Sequence, residues 1–136
     1  VRNLDREDKV AEFHAAFKHP INVQNDEDLI VLRNKLIYEE YDELKDELAA
    51  AMVDIQTFGQ ISSKTKARML KEMADLQYVL SGLAVALGLP LQIAFNRVHA
   101  SNMSKLGKDG KPILREDGKI LKGPNYTPPD LEDLVE

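Results

Sequence analysis

Two groups of acids carry the chemistry available to this chain: Glu39, Glu40, Asp42 and Glu43 in one segment, and Glu72 with Asp75 in another. Residues three or four apart on a helix share a face, so Glu39 with Glu43, Glu40 with Glu43, and Glu72 with Asp75 are surface neighbours. If the two segments pair antiparallel, a midpoint near Thr57 and Phe58 leaves Glu43 and Glu72 about 14 residues, roughly 21 Å of helix, along each arm. The two patches then face one another. Two carboxylates ~6 Å apart repel by roughly 3 kcal/mol at an effective dielectric near 20. Such a site must therefore take up protons or cations. Oxygen-only ligands suit the hard ions Mg²⁺ and Mn²⁺, whereas di-iron bundles use Glu-x-x-His, and the third residue after Glu72 is Asp75. Magnesium held by a few carboxylates completes its shell with waters and substrate phosphates, which points to phosphoryl or pyrophosphoryl chemistry with more than one ion.

A run such as EEYDELKDEL is by itself most often a solvated helix face. The second cluster differs, because Glu72 and Asp75 open the apolar stretch 76–89, with Asp75 one turn from Val79 and two turns from Gly82 on one face. Acids beside a buried face are costly unless paired or metal-bound. Arg33 precedes Glu40 by seven residues and Glu47 follows it by seven, so both lie on the same stripe. Arg33 is a candidate partner for an acid, and Glu47 a candidate peripheral ligand.

The pattern Glu-Glu-x-x-Glu, 28 residues, then Glu-x-x-Asp resembles the signature of the all-α nucleoside triphosphate pyrophosphohydrolases. This is the MazG-like superfamily, which also holds phosphoribosyl-ATP pyrophosphohydrolase and the dimeric dUTPases. The similarity extends through Val10-Ala-Glu-Phe-His-Ala-Ala-Phe17, residues 32–37, Val98-His-Ala-Ser-Asn-Met-Ser-Lys-Leu106 and the tail 119–130, as in the short single-domain bacterial and phage members. No motif position departs from the pattern. The resemblance implies hydrolysis of a (deoxy)nucleoside triphosphate between the α and β phosphates to the monophosphate and pyrophosphate. It implies metal ligation by Glu39, Glu40, Glu43, Glu72 and Asp75, with Glu39 or Glu40 also orienting or deprotonating the attacking water. It further implies substrate contacts from Asn102 and Lys105, and a nucleobase pocket lined by His14 and Phe17. Likeness to the short phage branch favours dGTP or GTP, with dUTP next and phosphoribosyl-ATP within the same reaction class.

Several elements must position these residues. Residues 5–18 read as a first helix with Val10, Phe13 and Phe17 on one face, ended by Lys18-His19-Pro20. Asn25 or Asp26 can cap a long second helix that runs through the first acids to Phe58. The turn falls at residues 59–63, with Ser62 or Ser63 as the next cap. On the third helix Met69, Met73, Leu76, Leu80, Leu83 and Leu87 alternate four and three apart, the spacing of a left-handed bundle seam. Gly88-Leu89-Pro90 ends it, and a fourth helix starts near Pro90 and runs to about Lys105. Ile113-Leu114 and Lys119-Ile120-Leu121 can pair as a short hairpin, and Pro124, Pro128 and Pro129 keep the rest extended. The expected fold is an all-α bundle of four to five helices, antiparallel in pairs, with an extended tail from residue 106. Its single domain cannot cover both apolar faces itself, so a homodimer or homotetramer is expected.

Composition narrows the alternatives. With 136 residues, 43% apolar and 30% charged, the chain supports one core, and no cysteine is present for disulfide or thiolate chemistry. A net charge of -5 argues against general nucleic-acid binding. No apolar run reaches the ~20 residues of a membrane span, and no secretion signal is expected, so a cytoplasmic location is inferred. Charge is nevertheless uneven: residues 26–47 hold nine acids and three bases, while residues 105–122 hold six bases and three acids. An acidic helix with a basic tail suits a metal-triphosphate complex, with Lys119 and Lys122 joining Lys105 on phosphate oxygens. His99, with no second His or Cys nearby, reads as structural. Neither a P-loop nor a Gly-x-Ser-x-Gly elbow occurs. The rival to the enzyme is a non-catalytic helical interaction module whose acids are merely solvated.

Overall fold

Side-chain caps and left-handed glycines set the helix boundaries. In the computed structural model, which describes residues 5–136, α1 (Arg6–Ala16) opens with a reciprocal capping box. Asp5 Oδ1 accepts from Asp8 N at 2.8 Å, and Asp8 Oδ2 accepts from Asp5 N at 3.4 Å. The helix stops at Ala16, two residues short of Lys18, which sits at φ 58°. Asp26 caps α2 (Glu27–Phe58), accepting from Leu29 N at 3.2 Å, and Gly59 at φ 78° closes it. Ser62 caps α3 (Ser63–Leu87), accepting from Thr65 N at 3.2 Å. The Ser62 backbone N–H donates to Asp54 Oδ2 at 3.0 Å, folding the connection back onto the last turn of α2.

The fold is all-α, and the described residues form four α-helices and one minimal hairpin. It divides into two units, one ending at Gly88 and one beginning at Leu89. In the first unit α3 packs against both α2 and α1. Its buried positions are mostly small: Thr65, Ser81, Gly82, Ala84 and Ala86 on α3, Ala51 on α2, with Val10 and Leu29 the larger apolar contributors. The expected seam of large residues is therefore only partly realised. Met73 is 51% and Leu80 39% exposed. The heptad reading selects the bulkiest residues, whereas close approach of α1 and α2 demands the smallest, so α3 turns its small face inward and leaves large side chains outside.

In the second unit α4 (Leu91–Met103) begins after Pro90, which occupies the cap rather than the first helical position, and ends two residues before Lys105. Strands β1 (Ile113–Leu114) and β2 (Ile120–Leu121) pair antiparallel, Ile113 opposite Leu121 and Leu114 opposite Ile120. Gly118 at φ 87° makes the turn between them. The tail is strapped along α4: Ser101 Oγ donates to Thr127 O at 2.8 Å, and Arg97 Nη1 donates to Asp133 Oδ1 at 2.6 Å and to Asp130 O at 3.0 Å. A short 3-10 turn, Glu132–Leu134, ends it. Among the described residues, no single helix is long and apolar enough to cross a membrane.

Candidate metal centre

The α2 and α3 helices meet in one constant register. Glu47 on α2 pairs with Arg68 on α3 at 2.8 Å, carboxylate oxygens of Glu43 and Glu72 lie within 4.8 Å, and Arg33 lies against Gly82. Each step back along α2 is matched by an equal step forward along α3. The same ladder sets Glu40 opposite Asp75. Its midpoint falls at Thr57 and Phe58, as the spacing predicts, yet the connection lies beyond that point, because the last turn of α2 overshoots and Asp54 draws the loop back.

Four carboxylates converge on this seam. Ligand oxygens of Glu40, Glu43, Glu72 and Asp75 all lie within 4.8 Å of one another. Within these side chains two oxygens, Glu40 Oε2 and Glu72 Oε2, are sealed from solvent and have no hydrogen-bond partner. The Glu72 side chain is only 14% exposed. Burial, and then the hydrogen bond with Glu43, push its carboxyl above the ordinary value; Lys71 opposes the shift, while the Glu43 and Asp75 charges add to it. Lys71 Nζ reaches Asp75 Oδ2 at 2.7 Å and Glu72 Oε1 at 3.5 Å. One lysine does not neutralise four acids. An all-oxygen donor set with two orphaned, buried oxygens fits hard divalent ions, whose ligands are carboxylates and water.

Glu39 stands apart. It sits 100° around α2 from Glu40, its carboxylate is half-exposed, and it lies 3.9 Å from Lys35 Nζ. The structure thus gathers four of the five acids singled out by the sequence. Glu47 is engaged by Arg68, 2.8 Å away, rather than by the cluster.

His14 is buried between the helices, with both ring nitrogens engaged. Nδ1 lies 2.8 Å from Pro20 O, and Nε2 lies 3.4 Å from Arg33 Nη2. The neutral tautomer with Nδ1–H donating to Pro20 satisfies both contacts. Burial lowers the His14 pKa, with Arg33 and His19 adding to the effect and the Pro20 bond opposing it. Phe17 is 64% exposed and stacks on Phe13 at 4.5 Å between centroids. Arg33 was a candidate partner for an acid; instead it contacts the neutral His14, and its Nε has no hydrogen-bond partner.

The remaining candidates lie in the second unit. Asn102 is in the last turn of α4, and Lys105 follows it by three residues. Gly123 N donates to Lys105 O at 2.9 Å, which brings Lys122 beside Lys105. Lys122 Nζ lies 4.8 Å over the Tyr126 ring. Lys119 is in the hairpin, its backbone N–H on Asp117 Oδ1 at 3.2 Å. Sequence reasoning gave no role to Lys71 or Arg68, although Lys71 lies four residues before Asp75 and Arg68 four before Glu72, open to the same face argument.

The fold is an all-α one in which four carboxylates from two antiparallel helices meet on one seam and could hold a metal ion. Residues 10–102 match the sequence profile of the phosphoribosyl-ATP pyrophosphohydrolase family, so the chain belongs to that family, within the MazG-like superfamily, and is a pyrophosphohydrolase. Among solved structures, it is similar to a candidate NTP pyrophosphohydrolase from Exiguobacterium sp. 255-15. The two share 25% identity and a TM-score of 0.48, with 98% of this chain and 95% of that one covered. No match occurs among curated proteins.

Proposed function

We propose that this protein hydrolyses a (deoxy)nucleoside triphosphate at the α–β phosphoanhydride, releasing the monophosphate and pyrophosphate, with Mg²⁺ or Mn²⁺ as cofactor. The observation that carries the reading is the set of four converging carboxylates, two of them with sealed, unpartnered oxygens. Glu40, Glu43, Glu72 and Asp75 would hold the ions, more than one per site. When bound, divalent ions supply Lewis-acid polarisation of the phosphate oxygens and of the attacking water. Glu72, whose carboxyl burial holds above its ordinary pKa, and Asp75, paired with the exposed Lys71, would be the two ligands whose proton and ammonium partners compete with a bound cation. Glu39, outside the cluster but on the adjoining face, is free to orient or deprotonate the water, a role it shares with Glu40 as candidates. Asn102, Lys105, Lys119 and Lys122 are the proposed phosphate and sugar contacts, and Phe17, exposed at the C-cap of α1, the proposed base contact; His14, sealed with both ring nitrogens engaged, has no free edge for a base and stays structural.

Resemblance to the short phage branch supports dGTP or GTP as one substrate reading, with dUTP next. The match to the phosphoribosyl-ATP pyrophosphohydrolase family favours a second reading, the same reaction on phosphoribosyl-ATP. Pyrophosphate release from dGTP, GTP, dUTP, dCTP, dATP and phosphoribosyl-ATP, with Mg²⁺ and with Mn²⁺, tests both. Release from one base class, abolished by chelation, supports the reaction and names the substrate; no release from any overturns it.

The proposal includes a homodimer or homotetramer in the cytoplasm, where nucleotide pools are held. Support comes from the large apolar side chains left exposed on α2 and α3, among them Met52, Val53, Ile55, Leu70, Met73 and Leu80. Sedimentation of the purified chain decides the assembly.

A further inference from the structure

We infer that Gly82 and Arg33 form a positioning contact that fixes the register of α2 against α3 and, through it, the geometry of the four carboxylates. The inference rests on the metal-centre reading above. A Cβ placed on Gly82 would lie 2.6 Å from Arg33 Nη1 and 3.4 Å from His14 Nε2. Only a hydrogen atom fits there, so the guanidinium lies directly on the α3 backbone. Arg33 has little freedom to yield. It is 5% exposed, Nη2 is held by His14, and His14 is held in turn by Pro20 O.

The contact is aligned with the metal centre on both helices. Arg33 precedes Glu40 by seven residues and Gly82 follows Asp75 by seven, so it lies about two turns, roughly 10 Å, from the cluster along each axis. Neither intervening segment contains glycine or proline, so a displacement at Gly82 is carried to Asp75 by a stiff helix. On the other flank Arg68 reaches back from α3 to Glu47. An arginine from each helix therefore brackets the carboxylates, and both hold the same register. Mg²⁺ demands near-ideal octahedral geometry, so a shift of several tenths of an ångström across the seam is felt at the metal.

The test uses the full chain with Gly82→Ala, Arg33→Met, and the two combined. In metal-free protein, carboxyl ¹³C signals of Glu72 and Asp75 are expected to move in Gly82→Ala and return toward wild-type positions in the double variant, where the shortened side chain leaves room for the new methyl. Mn²⁺ affinity without nucleotide is expected to fall on the order of tenfold in Gly82→Ala, the scale at which supporting residues act on metal sites, and to recover in the double variant. Unmoved carboxyl signals in Gly82→Ala overturn the inference, as does a change the double variant fails to reverse. Moved and rescued signals in a protein that binds no Mn²⁺ at all support the positioning contact and overturn the metal centre instead.

Discussion

Glu43 on α2 and Glu72 on α3 face each other across the helix seam, with carboxylate oxygens within 4.8 Å, and burial together with the neighbouring Glu43 holds the Glu72 carboxyl above its ordinary pKa. The raised value means that Glu72 takes up a proton more readily than an exposed glutamate does. Because the Glu72 pKa is raised above 4.5, the folded chain binds this proton more tightly than the unfolded chain does. The associated stability is fully present below about pH 4.5 and is lost as pH rises through the folded value. A divalent ion competes for the same oxygens. Apparent Mn²⁺ affinity should therefore rise with pH through that window, with proton release on binding; calorimetry in two buffers of different ionisation enthalpy measures it, and affinity independent of pH would contradict the assignment.

Glu39 and Glu72 should separate under substitution. Glu72→Ala removes a buried ligand and is expected to abolish Mn²⁺ binding. Glu39→Gln, on a half-exposed side chain outside the cluster, should leave Mn²⁺ affinity within about twofold. If Glu39 serves the water, kcat falls by ~10² at saturating metal while affinity holds. A parallel loss of affinity in Glu39→Gln would make it a ligand after all.

Much of this arrangement could be read from residue types alone. Asp26, Ser62, Gly59 and Gly88 mark the ends of α2 and α3 because caps and left-handed glycines act locally, within a few residues. The facing of Glu43 and Glu72 also follows from spacing once an antiparallel pair is assumed. What did not follow was which face of α3 is inward. Met73 and Leu80 dominate a hydrophobicity pattern, but helix approach is governed by Ser81, Gly82, Ala84 and Ala86, whose smallness carries no periodic signal. The Arg33 contact was hidden for the same reason. A buried arginine on neutral His14 breaks the expectation that cations seek acids, and only the room left by Gly82 explains it.

His14 provides a second pH signature of opposite sign. Its pKa is lowered from 6.5 by burial, so the unfolded chain binds the proton more tightly. The stability it contributes is present above about pH 6.5 and is lost as pH falls through the folded value. The difference in thermal midpoint between wild type and His14→Gln should therefore shrink below pH 6.5, since the amide retains a donor and an acceptor but does not titrate. A constant difference from pH 7.5 to pH 5 would show that folding leaves the His14 pKa unchanged and would contradict its burial as a neutral ring.

Lys105 and Lys71 are both cations, but their substitution should have different consequences. Lys105→Ala is expected to raise KM about tenfold with Mn²⁺ affinity intact, the pattern of a lost substrate contact, and an unchanged KM would remove its proposed phosphate role.

Lys71 acts as an internal competitor. Its ammonium lies 2.7 Å from Asp75 Oδ2 and 3.5 Å from Glu72 Oε1, so it neutralises part of the cluster that an arriving ion must claim. The side chain is 66% exposed, and solvent screening keeps the pair weak. Lys71→Ala should accordingly tighten Mn²⁺ binding by no more than about fivefold, the upper range for an exposed pair. It should also deepen the repulsion among the acids when metal is absent, lowering the thermal midpoint of the metal-free protein and enlarging the rise on adding Mn²⁺. Weaker metal binding in Lys71→Ala would mean that the lysine organises Asp75 for ligation rather than occupying it.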